Sequence, residues 1–167
     1  MQYMKTLDFN KKFVDLFYKT KRVKSKFETE NPNELVLASD ACKAISTKKD
    51  ESIQKGFNWV ISQRDVILLT NKRIIFDQYS IPLEIISSAE LVQLKTMFGK
   101  GQVLKVSTID NDCYQFGMQF NSEWLNQKVL PLTIEKGQIE YSTFSILIRI
   151  FIVGYLIYWL YGELINK

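Results

Sequence analysis

The sequence predicts a mainly β protein with flanking helices, an α+β chain. Its centre is a small antiparallel barrel or sandwich, with a basic amphipathic helix before it and an apolar helix after it. Three observations carry this prediction. Short apolar, β-branched runs punctuated by turn residues recur from Leu35 to Phe120, the pattern of an antiparallel sheet. Phe9, Phe13, Leu16 and Phe17 fall at i, i+4, i+7 and i+8 among lysines, one stripe of a helix. Thr143 to Gly162 is apolar almost throughout.

Length and charge set the frame. The 167 residues leave room for one domain plus accessory segments, and no repeat or low-complexity tract interrupts them. Cations crowd one end. Met1 to Lys26 carries eight Lys and Arg against Asp8 and Asp15, a balance of +6, so the remainder of this +4 chain sums to −2. Attraction to an anionic surface therefore belongs to the N-terminal arm. The early apolar residues are dispersed among lysines, so no signal peptide is expected. Cys42 and Cys113, far apart on expected strands, read as two buried free thiols, which favours a reducing compartment.

The elements follow in order. Residues 1–26 hold the amphipathic helix, centred on Met4 to Lys21. Its stripe of Phe9, Phe13, Leu16 and Phe17 has two readings: it lies on anionic lipid, or it packs on the domain or a partner while the lysines stay in water. Packing is the default. Residues 27–33, with Asn31-Pro32-Asn33, read as a linker. Strands are then expected at Leu35 to Ile45, Phe57 to Ile61, Val66 to Thr70, Arg73 to Asp77, Ile81 to Leu91, Val103 to Thr108 and Cys113 to Phe120. Asn71-Lys72 is the tightest hairpin turn, with Asn71 suited to a positive φ. Pro82 is placed at the start of its strand, where a missing N–H costs least. Gly99-Lys100-Gly101 and Asp110-Asn111-Asp112 make the next two turns. Ser122 is expected to cap a short helix through Val129 that buries Trp124 and plugs the open end of the sheet. Residues 131–142 read as a second linker.

The order of these motifs resembles the GRAM and bacterial pleckstrin-homology-like domains over residues 34–130. The resemblance is carried by Leu68-Leu69-Thr70-Asn71-Lys72-Arg73-Ile74-Ile75-Phe76 followed by Ile81-Pro82-Leu83-Glu84-Ile85-Ile86-Ser87-Ser88-Ala89-Glu90, with Phe116 and Trp124 downstream. It implies a split β-barrel capped by a C-terminal helix. It also implies that lipid head groups, where bound, meet basic residues around the first strand–strand loop. Here that set is Lys43, Lys48, Lys49 and Lys55, with Arg64 and Lys72 nearby. Asp50 and Glu51 interrupt the run, so solvated loop lysines are the default reading. Scaffolding by such a fold needs no lipid at all.

Residues 143–165 are expected to form a transmembrane helix. Eleven strongly apolar residues between Phe144 and Leu160 favour insertion by roughly 3 to 7 kcal/mol together. Arg149, about two turns inside the boundary, opposes this by less than the ~3 kcal/mol of a central arginine, because it can snorkel. Tyr141 at one end, and Tyr158, Trp159 and Tyr161 at the other, suit interfacial positions. Cations flank the N-terminal side, which places the bulk of the chain in the cytoplasm.

Catalysis is not expected. Histidine is absent, the two cysteines are isolated, and no Gly-rich phosphate loop occurs. No cofactor or metal is implied, and nucleic acid is a poor match for a chain held at a membrane. The expected function is a non-enzymatic membrane-anchored module that binds anionic lipid or scaffolds. The alternative is a small accessory subunit that meets a membrane protein partner through its barrel edge or N-terminal helix.

Overall fold

The computed structural model describes residues 11–47, 52–53, 59, 61–96, 99–138 and 143–165. Phe9, Lys48, Lys49 and Lys55 lie outside them. Helix α1 (residues 11–17) breaks at Tyr18-Lys19, where Lys19 takes φ 53°, and α2 (Thr20–Glu30) continues. The expected linker at 27–33 is therefore half helix. It ends at Asn31, whose backbone N–H and side-chain amide both donate to the Phe27 carbonyl.

The strands are β1 (Val36–Thr47), β2 (Gln63–Thr70), β3 (Arg73–Phe76), β4 (Tyr79–Pro82), β5 (Ile86–Thr96), β6 (Gly99–Thr108), β7 (Cys113–Gln119) and β8 (Thr133–Gln138). They form one open sheet in the order β4-β3-β2-β1-β7-β6-β5-β8. A small barrel or sandwich is expected from the strand count; the sheet does not close into a barrel. The architecture is mainly β with a few helices.

Several local expectations are corrected by local chemistry. The turn after β2 needs no positive φ at Asn71. The Thr70 hydroxyl oxygen accepts from the backbone N–H groups of Lys72 and Arg73, and Asn71 instead ties the turn to Leu35 through its side-chain oxygen. Positive φ falls at Asp77 (50°) and Asn111 (65°), in the turns after β3 and β6, where Asp and Asn tolerate it best. Pro82 ends β4 rather than starting a strand. A 3₁₀ turn (Leu83–Ile85) follows, and the long strand expected at Ile81 to Leu91 becomes two. Gly99, Lys100 and Gly101 open β6 instead of forming a turn. Trp59 is helical where a strand was expected. Residues expected as a linker near 131–142 instead supply β8, which extends the sheet beyond β5. There Gly137 lies so close to β5 that a Cβ would meet Leu94 Cδ2 at 2.7 Å and Val92 Cγ1 at 2.8 Å.

One face of the sheet carries the main core, in which Ile67, Leu69, Ile74, Leu91, Leu104 and Phe116 are among the most buried side chains. Helix α3 (Glu123–Asn126) is a single turn, shorter than expected. Ser122 holds the N-cap position, as expected, but makes no side-chain capping bond; the Asn121 side-chain oxygen accepts from the Glu123 N–H at 3.0 Å instead. It still drives Trp124 fully into the core. On the opposite face, Val36, Val66 and Leu68 pack beneath Tyr18, Val23 and Phe27 of the helical arm. The buried Glu34 carboxylate grips the Arg73 guanidinium at 3.0 and 3.1 Å and accepts from the Thr70 hydroxyl, fixing the β2–β3 turn to the start of β1. Cys42 and Cys113 are buried and free, as the sequence implied.

Residues 1–137 and 138–167 are separate compact units. The second contains helix α4 (Thr143–Ile165), 23 residues long. Its described side chains are Leu147, the run 150–159, Tyr161 and Gly162. Among the described residues no helix is long and apolar enough to cross a membrane.

Candidate anion-binding groove

Pairing between strands brings two of the expected cations together. Lys43 on β1 lies directly opposite Arg64 on β2, and on its other side opposite Gly117 on β7, which in turn faces Val103 on β6. Directly opposed residues share a face of a sheet. The result is a row across four strands, cationic at one end and apolar at the other. Gly117 leaves a gap in that row, and the Trp59 indole fills it so closely that any Cβ at 117 would overlap the ring.

A groove of about 340 Å³ lies along this face. Trp59, Ala41 and Val103 contribute apolar walls, Val14 and Tyr18 of the helical arm close one side, and Lys43 and Arg64 supply the charge. Like charges directly opposite one another are unfavourable. Burial lowers the pKa of Lys43 below the usual lysine range, and the neighbouring Arg64 guanidinium lowers it further. Arg64 makes a further interaction of its own, and an anion beside Lys43 would add a second favourable partner to the pair.

Lys72 does not join them. It sits in the turn beyond Thr70, and Thr70 itself is six residues along β2 from Arg64, roughly 20 Å at ~3.3 Å per residue. Sequence reasoning missed Trp59 and Gly117. The available signal was a glycine inside a strand, which often marks close approach by another group.

The expected interaction face is placed differently. Lys11, Val14, Asp15 and Tyr18 form the side of α1 turned to the body, and Phe13, Leu16 and Phe17 are 64, 76 and 73% exposed. The default expectation is that the aromatic stripe packs on the domain or on a partner. Phe9 lies outside the described residues, and Phe13, Leu16 and Phe17 do not pack on the domain. The reason is a buried ion pair. Lys11 Nζ lies 3.1 Å from Oδ1 of Asp40, which is 1% exposed, and 2.9 Å from Asp15. Burial pushes the Asp40 carboxyl up to about 6, against the opposing pull of Lys11 and the Asn121 amide. Its Oδ2 has no partner. Satisfying that carboxylate turns the lysine inward and the phenylalanines outward.

Among the described residues no three Cys, Asp or Glu side chains converge as a metal site. No protein-family model matches the chain, and no curated protein matches its sequence.

Proposed function

We propose that this protein is a non-enzymatic module of pleckstrin-homology-like type that works anchored at a membrane, facing the cytoplasm, with its groove directed at anionic head groups. The observation that carries the reading is the surface of α4. Ile150, Phe151, Ile152 and Val153 are 63, 76, 52 and 55% exposed. Four consecutive residues point in all directions around a helix, so no face is reserved for water. Tyr155, Leu156, Ile157, Tyr158, Trp159 and Tyr161 are exposed as well. An apolar surface of this kind marks a membrane or partner contact. Twenty-three helical residues extend about 35 Å, against a hydrocarbon core of about 30 Å, although the described side chains alone do not make a run long and apolar enough to cross it.

Two further features support the reading. The paired motif from Leu68 to Phe76 and Ile81 to Glu90 resembles the GRAM and bacterial pleckstrin-homology-like domains. The Lys43–Arg64 pair gives the groove a place for a phosphate or carboxylate beside an apolar wall. Extraction of membranes at alkaline pH tests the anchor: the protein should stay in the membrane pellet after carbonate washing, and quantitative release into the supernatant overturns the proposal.

A further inference from the structure

A second feature of the arm points to a separate contact, made at the opposite end of the chain from α4. Phe13, Leu16 and Phe17 are three large apolar side chains on one face of α1, and all are exposed. Their orientation is set from behind by the Lys11–Asp40 pair, the Lys11–Asp15 contact and the packing of Tyr18 on the Val36–Val66–Leu68 cluster of the sheet. The face is therefore presented, not left over from a helix free to roll. Around it the charge is mainly positive. Lys19, Lys21 and Arg22 are exposed on the same arm, Lys24 and Lys26 are paired with Glu28 and Glu30 further along it, and residues 1–26 sum to +6 against −2 for the rest.

We infer that α1 is a peripheral membrane contact whose Phe13–Leu16–Phe17 face inserts into the interface of an anionic bilayer. An apolar helical face bordered by Lys and Arg suits the boundary between acyl chains and anionic head groups. The positive arm also selects against a positively charged or neutral partner. The inference rests on the reading that the chain works at a bilayer, and it assigns the N-terminal arm a role distinct from that of α4.

The test uses the full chain carrying Leu16→Cys labelled with an environment-sensitive fluorophore. Both native cysteines are buried, so labelling is selective. The protein is reconstituted into vesicles of neutral phosphatidylcholine and into vesicles containing phosphatidylglycerol, and flotation is scored alongside. With phosphatidylglycerol, the emission should shift to the blue and the label should become several-fold less accessible to aqueous iodide. Neither change is expected with phosphatidylcholine. Changing Lys19, Lys21 and Arg22 together to Glu should abolish the difference.

Flotation with both vesicle types while the label stays equally accessible in both overturns the inference and leaves the α4 anchor standing. Flotation only with anionic vesicles, with the label protected, supports the inference and overturns the anchor. Protection that is equal in both vesicle types, or that depends on protein concentration without vesicles, overturns the inference in favour of neutral insertion or contact between copies.

Discussion

Replacing Lys11 with Met tests how the arm is held. Asp40 is 1% exposed, and its carboxyl sits at about 6 against an ordinary 3.8. That rise, at ~1.36 kcal/mol per pKa unit, means the ionised carboxylate is already about 3 kcal/mol less favourable than in water even with Lys11 beside it. Breaking a buried pair by removing one partner costs ~3–5 kcal/mol. Lys11 is 22% exposed, so water offsets part of this and the lower end, about 3 kcal/mol, applies. The variant also leaves Asp15 facing Asp40 with no cation between them. The Asn121 amide is the remaining favourable neighbour, and the Cys42 thiol, pushed up by burial and by Asp40, stays neutral.

The sign follows from proton counting. A carboxyl whose pKa is raised on folding binds more protons folded than unfolded, so stability falls as pH rises from ~4 through the folded value. At pH 5 a carboxyl with a pKa of about 6 is already mostly protonated; without Lys11 the Asp40 pKa rises further, so it is neutral at pH 5 with or without the lysine. Lys11 itself titrates outside this window. Burial acts to lower its pKa, but Asp40 and Asp15 outweigh that and raise it above 10.5. Urea unfolding of the full chain in mild detergent should show Lys11→Met weaker by about 3 kcal/mol at pH 8 and by at most about 1 kcal/mol at pH 5. Equal losses at the two pH values would refute the assignment of a charged, buried Asp40.

Three further substitutions bear on the groove and the sheet. Lys43→Glu turns a like-charge pair with Arg64 into an opposite one; stability should hold or rise by about 0.5 kcal/mol while affinity for short-chain phosphatidylglycerol falls at least about tenfold, and unchanged affinity in a fluorescence titration would remove the groove as the head-group site. Gly117→Ala places a methyl group in the Trp59 ring, so the indole should swing out. Acrylamide quenching of tryptophan should increase and stability should drop by about 1 kcal/mol, whereas unchanged quenching would mean that Trp59 does not occupy the gap. Glu34→Ala removes the two-pronged contact to Arg73 and the Thr70 hydrogen bond, a loss of about 2 kcal/mol at pH 7. Burial acts to raise the Glu34 pKa, but the hydrogen bonds from Arg73 and Thr70 outweigh it and hold it below 4.5. That contribution is present above pH ~4.5 and lost as pH falls through the lowered value, so unfolding at pH 3 should show a smaller difference.

Legibility in the sequence varied with the range of the interaction involved. The strand runs around Val66, Arg73, Val103 and Cys113 were readable, because alternation and β-branching act over two or three residues. Cys42, Cys113 and Trp124 were readable as buried for the same kind of reason. The fate of Pro82 was not, since a proline is tolerated at either end of a strand and only the pairing of Arg73 with Pro82 shows which end it occupies. β8 was missed because Thr133 to Gln138 is mostly exposed, and its strand conformation comes from hydrogen bonding along the β5 edge rather than from an apolar pattern. Lys43 and Arg64 were both singled out, yet so were Lys48, Lys49, Lys55 and Lys72. Register alone set Lys43 and Arg64 side by side and Lys72 at the far end of β2.

What the sequence determined by itself was composition and local periodicity: a β-rich domain, an apolar 23-residue helix, a cationic arm and an amphipathic stripe. Periodicity says that Phe13, Leu16 and Phe17 share a face, but not which way that face turns. The tertiary structure decided that, through one carboxylate. Asp40 lies on β1, 29 residues from Lys11, and its burial demands a cation from whatever packs over it. The desolvation of a charge outweighs the apolar preference of three partly exposable side chains. So the arm docks by its lysine and shows its phenylalanines to the outside.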